Sequence, residues 1–407
     1  MTNYLIINMH WYNRGDEAAN RALIDELRIR DDGCKINVQI ASEYKASEVN
    51  LGDGVEVLQS RFPEKKDLLE YLLIYITKGK VAYTTEGKNF SDKFQNADII
   101  VHAPGGPSIG EVYRFAERPY LLRLLFAKHL KKKYVFFAPS MGPFRNKKRN
   151  IIRKYILDNA SLITLRESVS AGYLKSLLPN CKYEVTLDSA FQHPVDMQYN
   201  KQIYETYGQL KKFINSHEKV IGITITDLMW NPKYLNNYNM KAVINDSFKK
   251  FIDYLLEEKY GVIFIPQLFG ADNDKDYMTK FSINNHCFVM EDTYDCYFQQ
   301  YVISRLHVVV GMRYHSNIFA CKMKIPFLSV VYEQKMKGFM EDNNLTCYCI
   351  DVDNLSSSLL IEKFELIEKD YLKYKGDLEK INSKLVIKSR RTTDLLLNIT
   401  KKDRGIL

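Results

Sequence analysis

Arg313 and His315 stand two positions apart in the sequence GMRYH at positions 311–315. An arginine guanidinium grips anions through several N–H donors, and a histidine imidazole can carry a proton near neutral pH. The apolar run 308–311 just before them predicts a strand that feeds into a helix starting near His315. We expect both side chains at that strand end, where they would form an anion site with a proton carrier.

A second candidate segment, NRGD at 13–16, directly follows the first predicted strand and opens the first predicted helix. Gly15 permits a tight turn there, and the unpaired amides of a helix start, including those after Asn13, favour an anion or a sugar hydroxyl. Asp16 either belongs to that site or is an ordinary N-cap of the helix.

A third segment, APGGPSIG at 103–110, is predicted to be a glycine-rich loop after the fourth predicted strand. Paired glycines such as Gly105 and Gly106 let a backbone approach a ligand closely, and Ser108 adds a hydroxyl. The alternative is a simple wide turn, but the position at a strand end favours a site.

Further charged residues stand at other predicted strand ends. Arg166 could fork onto a carboxylate or phosphate, or it could pair with a neighbouring acid such as Glu167. Asp188 ends another predicted strand in the same way. Lys335 or Lys337 could add positive charge to the crevice of Arg313, or could serve only solubility.

Three residues are weaker candidates: His10, His102 and Asp227. His102 falls inside an apolar strand, which favours a hydrogen-bonded core histidine.

The elements that must position these residues alternate between short apolar runs and helix-length patterns. The predicted strands of the first half are 4–9, 36–41, 55–59, 99–103, 134–139, 162–166 and 183–187, with helices such as 16–30, 65–77, 119–132 and 147–159 between them. The rhythm breaks over the polar stretch 193–219 and resumes with strands 220–226, 262–267, 287–290, 307–311, 327–332 and 347–352. This order is typical of an α/β protein with two tandem, doubly wound, Rossmann-like domains facing a cleft.

We expect an N-terminal domain over 1–200 that forms the acceptor side and a C-terminal domain over 201–375 that binds the donor anion. A helical tail over 376–407 should pack back on the first domain. Its basic cluster, Lys384, Lys388, Arg390 and Arg391, is either a solvated face or a contact with an anionic membrane helped by residues 145–149.

The whole chain excludes several classes of protein. Its 407 residues, 46% hydrophobic and 26% charged, describe a globular protein. Seven scattered cysteines without CxxC spacing favour neither disulfides nor zinc. The net charge of +9 suits acidic partners, but the basic residues are dispersed and no nucleic-acid motif is present. With no apolar run of about 18 residues, we expect a cytoplasmic protein, in peripheral contact with the inner membrane face at most.

Taken together, the segments 13–18, 105–110, 138–142, 165–170, 188–191, 266–268, 311–320 and 332–338 resemble those of the polysaccharide pyruvyl transferase family. The resemblance implies a fold like that of two-Rossmann (GT-B) glycosyltransferases. It also implies transfer of the pyruvyl group of phosphoenolpyruvate to a sugar as a ketal, in capsule or exopolysaccharide synthesis, with release of phosphate.

The resemblance further implies that Arg166, Arg313 and His315 bind the donor, and the negative charge of phosphoenolpyruvate adds Lys337 to that set. His315 would be the acid, and Asp16 or Asp188 the base. No metal or other cofactor would be needed beyond phosphoenolpyruvate as co-substrate. The acceptor would be a galactose or N-acetylmannosamine type of sugar, either free or on a polyprenyl-diphosphate carrier; the oligomeric state stays open.

Two alternatives remain open at this point. A nucleotide-sugar glycosyltransferase of the same architecture would use an acid such as Glu333 to hold a ribose. A non-catalytic subunit of a glycan-assembly complex would instead depend on the basic tail and not on Arg313 or His315.

Overall fold

The computed structural model describes residues 1–40, 49–58, 62–112, 117–270, 273–282 and 284–403. These residues form two compact units: Met1–Trp11, Ala19–His193 and Ile387–Leu407 make up unit 1, and Tyr12–Ala18 and Pro194–Val386 make up unit 2. Each unit is built on its own parallel sheet. The mixed α/β architecture predicted from the strand and helix patterns is thereby confirmed.

Unit 1 contains, in chain order, β1 (Asn3–Met9), α1 (Arg14–Arg30), β2 (Lys35–Ile40), β3 (Val55–Leu58), α2 (Leu68–Ile76), α3 (Thr85–Asn96), β4 (Ile99–His102), β5 (Gly105–Ile109), α4 (Glu117–His129), β6 (Lys133–Phe136), β7 (Pro139–Met141), α5 (Lys147–Asp158), β8 (Leu162–Leu165), α6 (Ser168–Leu177) and β9 (Glu184–Val185). Residues 14–18 of α1 belong to unit 2. The seven-stranded sheet has the order β3-β2-β1-β4-β6-β8-β9. Every pairing in it is parallel.

Unit 2 contains α7 (Met197–Thr206), α8 (Gly208–Asn215), β10 (Val220–Thr224), α9 (Tyr238–Glu257), β11 (Gly261–Phe264), α10 (Asp274–Met278), β12 (Cys287–Val289), α11 (Cys296–Ile303), β13 (Val308–Gly311), α12 (Tyr314–Lys322), β14 (Phe327–Val331), α13 (Gln334–Asp342), β15 (Cys349–Asp351), α14 (Ser357–Lys369) and α15 (Tyr371–Asp403), whose residues from Ile387 onward belong to unit 1. Its six-stranded sheet has the order β12-β11-β10-β13-β14-β15, again all parallel.

The central strands are apolar because helices cover both faces of a parallel sheet. In β10 and β14 every residue is buried, and one apolar cluster in unit 1 joins β1, β4 and β6 to the inner faces of helices α2 to α6. The polar stretch 193–219 carries α7 and α8. The predicted strand ends Ala41 and Gln59 lie outside the described residues.

Each sheet has one point at which the strand order reverses: between β1 and β4 in unit 1, and between β10 and β13 in unit 2. In open parallel sheets, ligands bind beyond the carboxyl ends of the strands at such a point. In unit 2 this point is where the segment 311–315 leaves β13. None of the described helices is both long enough and apolar enough to cross a membrane.

Candidate functional site

A buried polar network fixes the chain where β13 ends. The Thr224 hydroxyl, at the end of β10, lies 2.7 Å from the Ser316 hydroxyl and accepts from the backbone N–H of residue 312 at 3.1 Å. Asn317 donates to the Ser329 hydroxyl at 2.8 Å and to the Gly311 carbonyl at 3.3 Å. A Cβ at Gly311 would overlap the Asn317 amide. The segment from the strand end into α12 is therefore held rigidly at the switch point.

Arg313 stands at the start of α12 and is only 5% exposed. Its Nε donates to Asp274 at 3.2 Å, and its Nη2 donates to the same carboxylate. The Trp230 ring lies against the guanidinium, with 5.0 Å between the ring centre and Cζ of Arg313. Burial alone would lower the pKa of Arg313, but Asp274 and Tyr332 raise it above its usual value. The guanidinium is thus a permanently charged group in a fixed orientation.

Asp274, which orients Arg313, is a site residue that was not predicted from the sequence. Its Oδ2 also accepts the backbone N–H groups of Gln267 and Leu268, at 3.0 and 2.9 Å. The carboxylate therefore joins Arg313 to the turn after β11. The sequence feature that could have indicated Asp274 is its place in the first turn of a short helix that follows the segment 266–268.

His315 lies against the backbone of the segment 13–16, within unit 2. A Cβ added to Gly15 would overlap the Nδ1, Cγ and Cβ atoms of His315, so the imidazole occupies the space that a side chain at position 15 would need. The Arg14 N–H donates to the Gln267 carbonyl at 2.8 Å, which fixes this segment to the turn after β11. Asn13 completes the turn by accepting the Gly15 N–H at 2.8 Å. The structure thus brings Gly15, which precedes His315 by 300 positions, into contact with it.

Helix α1 begins at Arg14, so Asp16 lies inside the first turn and the N-cap interpretation of that residue is wrong. Asn13 supplies the cap-type hydrogen bond instead. The Asp16 side chain is partly exposed. Arg14 is buried, with Nη1 2.5 Å from Glu17 and its guanidinium carbon 3.8 Å from the Phe269 ring centre. Arg14 therefore anchors the turn that presents Gly15 and Asp16.

The two candidate lysines on α13 differ. The Lys337 side chain is 64% exposed and lies 3.8 Å from Glu341. Lys335 is 13% exposed, and its Nζ lies 2.7 Å from Glu333. Glu333 also accepts from the Asn231 amide at 3.1 Å. Lys335 is thus the lysine held close to the strand end, and Lys337 stands on an exposed face.

In unit 1, Arg166 is fully buried and pairs with Asp188, 22 residues away, at 2.7 Å. Its Nε donates to the Ser140 hydroxyl at 2.8 Å. The other Asp188 oxygen accepts the backbone N–H of Ala190 at 3.0 Å. The predicted donor-binding arginine and one predicted base are therefore partners in a buried ion pair.

The segment 105–110 was expected to be a loop, and this expectation is wrong: Gly105–Ile109 is β5, which pairs in parallel with β7. A Cβ at Gly110 would lie 2.7 Å from the Gly142 carbonyl oxygen, so the two backbones need that glycine to approach. The Gly110 N–H donates to the buried Glu117 carboxylate at 2.9 Å. For Ser108 only the backbone, within β5, is described.

The weaker candidates have structural partners. His102 is buried in β4, its Nδ1 donates to the Ala103 carbonyl at 3.0 Å, and burial lowers its pKa to about 4. His10 Nε2 lies 3.1 Å from the Tyr120 hydroxyl. Asp227 pairs with Lys241 at 2.8 Å. Among the residues that the structure describes, no three His, Cys, Asp or Glu side chains are grouped as a metal site.

The fold defines the class of protein. UDP-GlcNAc 2-epimerase from Neisseria meningitidis matches with a TM-score of 0.60 and 13% identity, covering 98% of this chain and 100% of the other. MnaA of S. aureus, in its UDP co-structure, matches with a TM-score of 0.58 and 11% identity, covering 100% and 98%. At such low identities the likeness concerns the fold alone, and this chain has two Rossmann-like domains, as its GT-B-like structural neighbours do.

The sequence gives the family. The model of the polysaccharide pyruvyl transferase family matches residues 13–334, and the chain belongs to this family. The amylovoran biosynthesis protein AmsJ of Erwinia amylovora is 22% identical over 417 residues, covering 95% of this chain and 97% of AmsJ. The resemblance inferred from short segments is confirmed. The protein is a transferase with a role in polysaccharide synthesis, and its acceptor is a sugar or polysaccharide.

Proposed function

We propose that this protein transfers pyruvate from phosphoenolpyruvate to two hydroxyls of one sugar in a surface polysaccharide or its lipid-linked precursor. The product is a pyruvate ketal, and phosphate is released. The observation that carries the proposal is the contact between His315 and the Gly15 backbone, beside Arg313 at the switch point of unit 2. One anion grip, one proton carrier and one carboxylate then come from two distant segments of a pyruvyl transferase chain.

In the proposed reaction, His315 protonates the methylene carbon of phosphoenolpyruvate and positive charge develops on the carbon that bears the phosphate. A sugar hydroxyl oxygen bonds to that carbon while Asp16 takes its proton. The bond from carbon to the phosphate oxygen breaks, and a second hydroxyl oxygen closes the ketal ring. Of the two hydroxyl protons, one restores His315 and the other leaves on hydrogen phosphate, so that atoms and charges balance.

We assign the donor clamp, meaning the cations that hold the phosphate and carboxylate of phosphoenolpyruvate, to Arg313 and Lys335. A fixed guanidinium in a water-poor site stabilises developing charge far better than an exposed one. We leave Lys337 out because its side chain is 64% exposed, and Arg166 because its side chain is fully buried, whereas those of Arg313 and Lys335 are 6% and 13% exposed. For the same reason we assign the base to Asp16 in place of Asp188.

The test combines phosphate release from phosphoenolpyruvate with mass spectrometry of a panel of galactosides and N-acetylmannosaminides, free and polyprenyl-diphosphate-linked. Arg313→Ala should lower kcat/KM at least about a hundredfold, whereas the matched control Lys337→Ala should leave it unchanged. Full turnover by Arg313→Ala would contradict the clamp. The glycosyltransferase alternative, with Glu333 on the ribose, makes a different prediction. The protein would consume a nucleotide sugar without releasing inorganic phosphate, and its melting temperature would rise with a nucleoside diphosphate but not with phosphoenolpyruvate.

A further inference from the structure

Two helices of unit 1 present apolar side chains to solvent. On α2, Leu69, Leu72 and Ile76 are 79%, 53% and 68% exposed. On α5, Ile151, Ile152 and Tyr155 are 72%, 41% and 50% exposed. Both sets follow helical spacing, so each makes a stripe along one face. A surface helix normally shows polar residues on its outer face, and these six side chains, which we call the α2–α5 surface, reverse that rule.

Helix α4 joins the two helices on one side of the sheet. The Tyr71 hydroxyl of α2 donates to the Leu122 carbonyl of α4 at 2.8 Å, and Tyr75 stacks on His129 with ring centres 4.0 Å apart. Burial raises the pKa of Tyr75, and the nearby Tyr155 of α5 adds to this shift. The two apolar stripes therefore belong to one side of unit 1. Exposed apolar side chains concentrated on one side of a domain are typical of interaction surfaces.

Basic residues border the surface. Residues 145–157 contain six basic residues and no acidic one. Of these six, Arg145, Lys147, Lys148 and Lys154 are exposed. Lys65, Lys66, Lys78 and Lys80 are exposed at the two ends of α2, where the acidic Glu70 is buried and accepts the backbone N–H groups of residues 83 and 84. Glu64 and Asp67 lie just before α2 and Asp158 ends α5, so the rim has a net excess of basic over acidic residues.

A cavity of about 470 Å³ lies beside α5 and is lined in part by Arg145, Lys147, Asn150 and Lys154. Tyr173 and Ser176 of α6 line its other side. Three cations around one open cavity are suited to a phosphate group. The lining of this cavity therefore suits an anionic head group next to the apolar stripe of α5.

We propose that the α2–α5 surface docks this protein on an anionic lipid bilayer, with the apolar side chains in the interface and the lysines on lipid phosphates. Charge selects this occupant: a second copy meeting the same face symmetrically would oppose its own cations, whereas an anionic membrane complements them. The basic tail is less suited, because Arg391 pairs with Glu184 at 2.8 Å and Arg390 donates to the Gln192 carbonyl at 3.2 Å.

The experiment uses the full-length protein in vesicle flotation, with phosphatidylcholine alone or mixed with phosphatidylglycerol. We expect flotation only with the mixed vesicles, weakening as salt rises. Lys147→Glu/Lys148→Glu should weaken binding at least roughly tenfold, and Leu72→Ser/Ile151→Ser should weaken it without loss of thermal stability. Lys249→Glu/Lys250→Glu, an equal charge change on α9 of unit 2, is the matched control and should bind like the parent protein.

Four results would overturn the proposal. One is that the protein stays with the soluble fraction in the presence of anionic vesicles, and another is that both double variants float normally. Displacement from vesicles by millimolar inorganic phosphate at constant ionic strength would show a site for free phosphate. A dimer in light scattering that Leu72→Ser/Ile151→Ser converts to a monomer would identify a self-association face. None of these measurements depends on catalysis, so they are independent of the proposed function.

Discussion

Gly15→Ala changes a single hydrogen into a methyl group at the contact with His315. The added carbon would overlap three atoms of that side chain, well inside the roughly 3.5 Å at which carbon atoms make contact. The Gly15 backbone lies in helix α1 and is not in the left-handed region. Alanine is therefore acceptable to the backbone, and the whole penalty arises from the His315 side chain, both its Cβ and its imidazole.

Two opposing terms set the expected change in stability. Alanine is more favourable than glycine inside a helix by about 1 kcal/mol. Overpacking a close contact costs about 1–3 kcal/mol. We expect Gly15→Ala to lower the free energy of unfolding by up to about 2 kcal/mol. Displacing a general acid should lower kcat by about 10²- to 10⁴-fold.

The measurement is urea unfolding together with steady-state phosphate release. The decisive comparison is Gly15→Ala made in the His315→Gly background, where all three overlapping atoms are absent: there the alanine should stabilise by up to about 1 kcal/mol. The activity losses of the two single variants should not multiply. Gly172→Ala on α6 is the control, because no other heavy atom lies within 4 Å of its added Cβ; it should stabilise and stay fully active.

Two results would refute this reasoning. If Gly15→Ala had the kcat of the parent protein and the same urea midpoint of unfolding as Gly172→Ala, the Gly15 backbone would not hold His315 in place. If it lost stability with kcat unchanged, the contact would be real and His315 would not be the acid.

Two further predictions concern groups outside this contact. The pKa of His102 is lowered from 6.5 to about 4 by burial, so the unfolded chain binds the proton first. The free energy of unfolding that depends on this shift, about 3 kcal/mol, is fully present above pH 6.5 and is lost as pH falls towards 4. His102→Asn keeps an N–H donor, and its free energy of unfolding in urea should change less between those pH values. An unchanged pH dependence would contradict this. Trp230 lies on the Arg313 guanidinium and is one of two tryptophans, so a Trp11→Phe protein should change its fluorescence on binding phosphoenolpyruvate, whereas Arg313→Ala in that background should show no response.

The strands were predictable because a strand that is buried on both faces of a parallel sheet appears in the sequence as a short run of apolar residues. Runs such as 262–265 and 308–311 are buried on both faces, which makes them apolar without interruption. Arg313 and His315 were predictable for a related reason, since they follow directly on one of these strands. The loop interpretation of 105–110 failed because parallel pairing with β7 at 139–141 leaves no local signature in so glycine-rich a segment.

Contacts between distant segments could not be read from the sequence. No pattern in the sequence around Arg313 indicates that Asp274 orients it, because the two residues are 39 positions apart and meet only once the sheet has formed. The same holds for Gly15, whose need for a hydrogen in place of a side chain becomes visible only when His315 is beside it. Spacing therefore predicted which groups stand at strand ends, and tertiary structure decided which are paired.

Two buried Arg–Asp pairs, Arg313–Asp274 and Arg166–Asp188, now allow the clamp assignment to be tested without removing either arginine. Both aspartates accept backbone N–H groups as well as guanidinium, so Asp274→Asn and Asp188→Asn should each cost about 3–5 kcal/mol of stability. The kinetic effects should differ. Losing the carboxylate that orients Arg313 should change the KM for phosphoenolpyruvate together with kcat, whereas Asp188→Asn should leave that KM unchanged in the fraction that folds. If only Asp188→Asn changed the KM for phosphoenolpyruvate, Arg166 and not Arg313 would bind the donor, and the proposed clamp would be refuted.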